Sequence, residues 1–208
     1  MQCSNSKLKL SSSIKLIASD FDGVFTNGQM YVDENFNYQK KISFKDIMGV
    51  SLALKNGYQV AIISGETSNI LDYFYKKFGI TEIHKGVRNK GEVLEKLMAK
   101  YSLKANEVVY LGDDVNDISA FDCVDFKIAP PNANPYVKCL EGIQVTEATG
   151  GDGAFREVVD TLIYPEIAPD EKGNDDILTY EDEMSERNKN EVFDFRANES
   201  KEHSPLDD

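Results

Sequence analysis

Three apolar runs in this chain each end in a small cluster of polar and glycine residues, and that repeated arrangement constrains the fold more than any other feature. Residues 14–19 (IKLIAS) run into Asp20-Phe21-Asp22-Gly23, residues 58–63 (YQVAII) into Ser64-Gly65, and residues 107–111 (EVVYL) into Gly112-Asp113-Asp114. Shorter strand candidates follow at 124–129 and 143–145, with helical patterns between them near 46–56, 67–78, 90–101, 116–122 and 152–164. The last is the clearest, because Phe155, Val158, Val159, Leu162 and Ile163 recur at three- and four-residue spacing. This alternation predicts an α/β fold: a Rossmann-like, doubly wound parallel sheet with helices on both faces. Such sheets bind ligands at the carboxyl ends of their strands, where all three polar clusters fall. One segment departs from the pattern. Gln29 to Ile42 alternates around Asp33-Glu34-Asn35 and reads as a β-hairpin projecting after the first acidic cluster.

Charge divides the chain. Of the net charge of −13, residues 165–208 carry −10, from 15 Asp and Glu against 5 Lys and Arg, which leaves −3 for the rest. The expected organisation is a flexible polar N-terminus (1–13), one domain (14–164) and an acidic, largely disordered tail (165–208) in which Phe193 and Phe195 are isolated. No basic stripe of the kind that grips nucleic acid is present. No apolar run approaches the roughly 18 residues of a membrane span, and the N-terminus has no apolar stretch of a secretory signal. Cys3, Cys123 and Cys139 have no paired spacing and read as free thiols of a cytoplasmic protein.

The acidic clusters carry the chemistry. Two carboxylates two residues apart, Asp20 and Asp22, repel each other unless a hard divalent cation and a phosphate come between them. Gly23 then lets backbone amides approach phosphate oxygens. Asp113 ends a neighbouring strand and can face Asp20. Asp117, one helical turn on, either holds a metal-bound water or supports Lys90. Ser64 with the Gly65 amide can hold a phosphate oxygen. Lys90, at the positive end of a helix, gains if it faces a bound anion. Each cluster alone has a plainer reading: a turn cap at Asp20 and Asp22, a helix cap at Ser64, dipole-favoured acids at Asp114 and Asp117, a surface lysine at Lys90.

In order, DxD, Ser-Gly, Lys and GDDxxD resemble the motifs of the haloacid dehalogenase-like hydrolases, over residues 14–164. Within that superfamily DFDGVFTNG, the stretch Ser43–Val50 and the closing Gly150–Glu157 resemble the capless phosphatases of phosphorylated 3-deoxy-ulosonic acids. The resemblance implies that Asp20 attacks phosphorus, forming an aspartyl-phosphate, and that Asp22 is the general acid and base. It implies Mg²⁺ held by Asp20, the Asp22 carbonyl and Asp113. Phosphate would be held by Gly23, Ser64, Gly65 and Lys90, and the substrate, a small phosphorylated sugar acid, would meet Lys45, Asp46, Glu66 and Phe74. It also implies a homotetramer built through the 29–42 hairpin, since neither long gap between motifs holds a cap domain.

Three positions depart from the family pattern. The octulosonate 8-phosphate enzymes are similar to one another in carrying Arg where this chain has Glu66 and Phe74. Glu at the first position resembles the enzymes of nonulosonate 9-phosphates, and a Glu repels a carboxylate that Arg would grip. Asp152 stands where Arg is common, which bears on carboxylate recognition at that end. A second reading, from another class, is a catalytically silent assembly module like the one fused to CMP-sialate synthetases. That module typically has eroded acidic motifs.

Overall fold

The structure, a computed structural model, describes residues 8–164. The acidic tail, with Phe193 and Phe195, and the first seven residues lie outside the described residues.

β1 (Leu16–Ser19) is buried at all four positions, as a parallel strand covered on both faces must be. It pairs in parallel with β4 (Gln59–Ile63) on one side and β6 (Val108–Leu111) on the other, so that Ile17 stands opposite both Val60 and Val109. With β5 (Glu82–His84), β7 (Phe126–Ala129) and β8 (Ile143–Val145), the sheet has six parallel strands in the order β5-β4-β1-β6-β7-β8. The chain builds outward from β1 in one direction, then crosses back and builds the other way. The reversal falls between β1 and β6, the switch point at which open α/β sheets form their crevice. The doubly wound architecture expected from the sequence is therefore present, and among the described residues no cap domain interrupts it.

The helices are α1 (Phe44–Lys55), α2 (Ile70–Phe78), α3 (Lys90–Tyr101), α4 (Ile118–Phe121), α5 (Pro135–Lys138) and α6 (Ala154–Ile163). Alternation within the strands sorts the core. Leu16, Ala18, Ala61, Ile63, Val108 and Tyr110 pack with Leu94 and Leu97 of α3 and Phe121 of α4. Elsewhere α1 packs on α6, and Phe21, Phe25, Phe74 and Phe155 form an aromatic group with neighbouring centroids 4.7 to 5.7 Å apart.

Two elements are absent from the sequence reading. β5 is only Glu-Ile-His, too short and polar to register as a strand. Its Glu82 is nonetheless buried, accepting hydrogen bonds from Lys100 and Tyr101 and facing His84 Nε2 at 3.1 Å. α5 is a four-residue turn of helix with Pro135 at its first position and the Asn134 side chain capping the Tyr136 amide. The described chain is also tied down before Ile14. Leu8 is buried, and the Lys9 backbone exchanges two hydrogen bonds with the Gln144 side chain, at 2.6 and 3.1 Å.

The hairpin forms a separate two-stranded antiparallel sheet of β2 (Tyr31–Val32) and β3 (Tyr38–Gln39). Asp33 organises its turn, one carboxylate oxygen accepting from the Asn35 and Asn37 amides, both at 2.9 Å. Residues 31–39 are all exposed, and they include Tyr31, Val32, Phe36 and Tyr38. Among the described residues no helix is long and apolar enough to cross a membrane, and Cys123 and Cys139 are free thiols.

Candidate active site

Asp20 and Asp113 follow neighbouring strands, β1 and β6, at the switch point. The Asp20 amide donates to the Leu111 carbonyl at 2.8 Å, which continues the sheet pairing up to the nucleophile candidate. The chain then turns sharply. Gly23 has φ +89°, and a Cβ there would sit 1.9 Å from an Asp113 carboxylate oxygen. Only glycine fits, because the acid from β6 occupies the space a side chain would need.

Lys90 is fully buried at the start of α3, and its Nζ lies 2.9 Å from Asp20 Oδ1 and 2.7 Å from Asp117 Oδ1. Asp117 also accepts from the Tyr110 hydroxyl at 2.7 Å and from the amides of Asp113 and Asp114, at 2.9 and 3.1 Å. Of the two roles left open for Asp117, the geometry fits support of Lys90, and Asp117 also ties down the Asp113 turn. Burial by itself would lower the Lys90 pKa, but the charges of Asp20 and Asp117 reverse that and leave it raised.

The carboxylates are held at an electrostatic disadvantage. Burial first, and then the Asp117 charge, push the Asp20 carboxyl up to about 8 against the opposing pull of Lys90. Asp113 is raised to about 7, by burial and then by Asp117 and Asp114. One oxygen of Asp20 takes the Phe21 amide at 2.7 Å and Lys90, whereas the Asp113 carboxylate makes no hydrogen bond among the described residues. Carboxylate oxygens of Asp20, Asp113 and Asp117 lie within 4.8 Å of one another. With Asp117 saturated by four donors, the oxygens left for a cation belong to Asp20 and Asp113. An all-oxygen donor set of this kind suits a hard divalent ion.

Asp22 is half-buried beside Asp20. A carboxylate oxygen of Asp22 lies 2.8 Å from Lys40 Nζ, and Thr26 Oγ1 donates to it at 3.3 Å. Lys40 follows β3 directly, and its side chain is only 4% exposed; it also lies 3.7 Å from Glu66. Neither Lys40 nor Thr26 was singled out from the sequence. Lys40 sits in the pair Lys40-Lys41 with no motif around it, and Thr26 is one of several hydroxyls. The only available signal was the position of Lys40 at the exit of a hairpin that begins next to Asp22.

Ser64 is buried at the end of β4, its hydroxyl accepting from the Glu66 amide at 3.1 Å. The Gly65 amide makes no hydrogen bond among the described residues. The Gly23 amide, expected to face phosphate, donates instead to Thr26 Oγ1 at 3.2 Å. Asp114 caps the turn after β6, accepting from the Val115 amide at 2.8 Å and the Asn134 side chain at 3.0 Å.

Three expected substrate contacts have partners within the protein. Phe74 is fully buried, 5.4 Å from Phe25 and 5.7 Å from Phe21 between ring centroids, so it is core. Asp46 is buried and accepts the amides of Gly153 and Arg156, at 3.0 and 3.1 Å, capping α6 from α1. Burial raises its carboxyl to about 6 in spite of those amides. Lys45 pairs with Asp152, the departure at that end, at 3.2 Å on the surface. Glu66 stays largely exposed beside Lys40.

Asp20, Asp22, Asp113 and Asp117 around one buried lysine, at the carboxyl edge of a parallel sheet, are the arrangement of a class of α/β-fold enzymes with aspartate-rich sites. Residues 25–153 match the family model of the haloacid dehalogenase-like hydrolases. The chain belongs to that family. It is 31% identical over 159 residues to the 3-deoxy-D-manno-octulosonate 8-phosphate phosphatase of Escherichia coli (strain K12), covering 76% of this chain and 84% of that one. The Haemophilus influenzae phosphatase of the same name is 33% identical over 151 residues (73% and 83% of the two chains). Among solved structures it is similar to the Moraxella catarrhalis octulosonate 8-phosphate phosphatase in complex with magnesium, phosphate and KDO. That likeness has a TM-score of 0.68 and 31% identity, over 73% of this chain and 87% of that one. The cobalt-bound Haemophilus influenzae enzyme gives 0.68 and 33%, over 73% and 88%.

Proposed function

We propose that this protein removes phosphate from a phosphorylated 3-deoxy-2-ulosonic acid, using Mg²⁺ and an aspartyl-phosphate intermediate. That it is a phosphoric monoester hydrolase follows from its family and its phosphatase relatives. The observation that carries the finer reading is the convergence of Asp20, Asp113 and Lys90 where β1 and β6 end, with Asp22 one turn away. Bound there, Mg²⁺ would be held by the Asp20 and Asp113 carboxylates and the Asp22 carbonyl, offsetting negative charge between nucleophile and phosphate.

In the first step an Asp20 oxygen attacks phosphorus, the bond to the sugar oxygen breaks, and Asp22 gives that oxygen a proton. In the second, water attacks the same phosphorus, Asp22 takes its proton, and the Asp20–phosphorus bond breaks to release phosphate. Lys90 favours the ionised form of Asp20, against burial and the Asp117 charge, and with Ser64 and the free Gly65 amide holds the transferring group. From Lys40 a polar cleft of about 550 Å³ opens between β3 and residues 67–70. Tyr38, Gln39, Thr67, Ser68 and Asn69 in its lining suit a hydroxylated chain. The relatives are named for the eight-carbon acid, while Glu66 favours a nine-carbon one. Phe74, now core, no longer bears on that choice.

The test is phosphate release from octulosonate 8-phosphate and from nonulosonate 9-phosphates, with and without Mg²⁺. Turnover that needs Mg²⁺ and vanishes in Asp20→Asn supports the reading. A folded wild-type chain inert on every phosphate ester supports the silent module instead, although intact Asp20, Asp22, Lys90 and Asp113 argue against it.

A further inference from the structure

The closing motif, Gly150 to Glu157, contributes no group to the steps above, yet its glycines are pressed against the loop that carries Asp22. A Cβ on Gly150 would lie 1.7 Å from the Gly23 carbonyl oxygen, and one on Gly151 would lie 2.6 Å from the Asn27 amide. The Gly151 amide donates to the Val24 carbonyl at 2.8 Å. Between motif and loop stands Asn132, whose Nδ2 donates to the Gly23 carbonyl at 3.1 Å while its Oδ1 accepts the Gly150 amide at 2.6 Å. Its own segment is anchored. The Asn134 amide donates to the Asp113 carbonyl at 2.7 Å, and Lys138 Nζ to the Pro131 carbonyl at 2.6 Å.

We infer that Asn132 is a positioning residue for the phosphatase reaction, acting through the Gly23–Val24 peptide; this rests on the reading above. Gly23 has no Cβ and sits at positive φ, so nothing in its own sterics stops that planar peptide from rotating. Rotation would aim a carbonyl dipole toward the bound anion. It would also turn the Val24 amide, which, unlike those of Phe21, Gly23 and Phe25, donates no hydrogen bond among the described residues. Asn132 and the closing motif lock the peptide from the far side.

Asn132 is exposed, so its replacement leaves the core intact. In Asn132→Ala, kcat on p-nitrophenyl phosphate falls on the order of 10- to 100-fold, as a small misplacement of a reacting loop does. Inhibition by orthovanadate, which mimics the five-coordinate phosphorus, weakens by a similar factor, and the thermal midpoint stays within a few degrees. Lys138→Met, which loosens the same segment but leaves the Asn132 amide group in place, costs clearly less than Asn132→Ala in both kinetic readings. Unchanged kcat in Asn132→Ala overturns the inference, as does lost kcat with orthovanadate inhibition intact, or equal losses in Lys138→Met. Absence of turnover in the wild-type chain would instead sink the phosphatase reading and this inference with it.

Discussion

Asp20 shows what a buried carboxylate costs a fold. It is nearly buried, faces Asp117, and has one close cation, Lys90, which Asp117 shares. Its folded pKa of about 8 and that of Asp113, about 7, both lie above the ordinary value of 3.8. For acids raised on folding, the folded state binds more protons than the unfolded one between about pH 4 and 8. Stability of the cation-free protein therefore falls as pH rises through that window. Melts in EDTA at pH 5, 6.5 and 8 should show the midpoint dropping, by roughly 2–4 °C for each kcal/mol lost. Millimolar Mg²⁺ should restore the midpoint at pH 8, and Asp113→Asn should flatten the EDTA series. A flat series in the wild type would contradict the raised values. Phe74 belongs to the same scale and behaves in the opposite way. Truncation to Ala should cost about 3–5 kcal/mol in urea unfolding, as for other buried aromatics, with the KM of the surviving enzyme unchanged. A selective rise in KM would return Phe74 to the substrate site.

At the scale of elements, Asp46 connects α1 to α6. Its carboxylate satisfies two of the amides that a helix N-terminus leaves open, so Asp46→Ala should destabilise by about 1–2 kcal/mol, measured by chemical unfolding, without changing the Mg²⁺ requirement. A loss of activity at full stability would make Asp46 a substrate ligand after all. Position in the sequence could not separate these outcomes, because Asp46 is read from a helix start and its partners lie about 110 residues away. The main strands and the acids at their ends were legible, since hydrophobic runs and the clusters that close them are local. What was illegible is what the topology brings together. β5 is held by Glu82 and its partners on α3, Lys40 reaches Asp22 only once the hairpin is folded, and Asn132 meets Gly23 across 109 residues. At Phe74 and Asp46 the sequence showed the position but not the neighbours that bury each side chain, Phe21 and Phe25 for the one and α6 for the other. A family pattern gives the position, but the side chain's neighbours decide whether it faces ligand or core.

For the molecule as a whole, the unresolved demand is water. In the proposed mechanism phosphoryl transfer to Asp20 precedes hydrolysis, so the first step would gain from a covered site, yet no cap domain lies among the described residues. Meanwhile the hairpin holds Tyr31, Val32, Phe36 and Tyr38 in solvent, with Phe36 86% exposed and at φ 63°, a conformation that suits glycine or asparagine better than a bulky ring. Exposed apolar side chains on a two-stranded sheet, marginal by itself, are expected where another subunit packs. Self-association through the hairpin would cover them, and Lys40 would carry the effect inward, since it leaves the hairpin and ends on Asp22. Light scattering should give the wild type the mass of a tetramer. Tyr31→Ser combined with Phe36→Ser should shift the mass toward one subunit and lower kcat, because a hairpin without its partners no longer fixes Lys40. Dilution of the wild type should lower specific activity along the same curve as its mass. A monomeric wild type with full activity would show that this site needs no neighbour, and that the apolar hairpin serves some other contact.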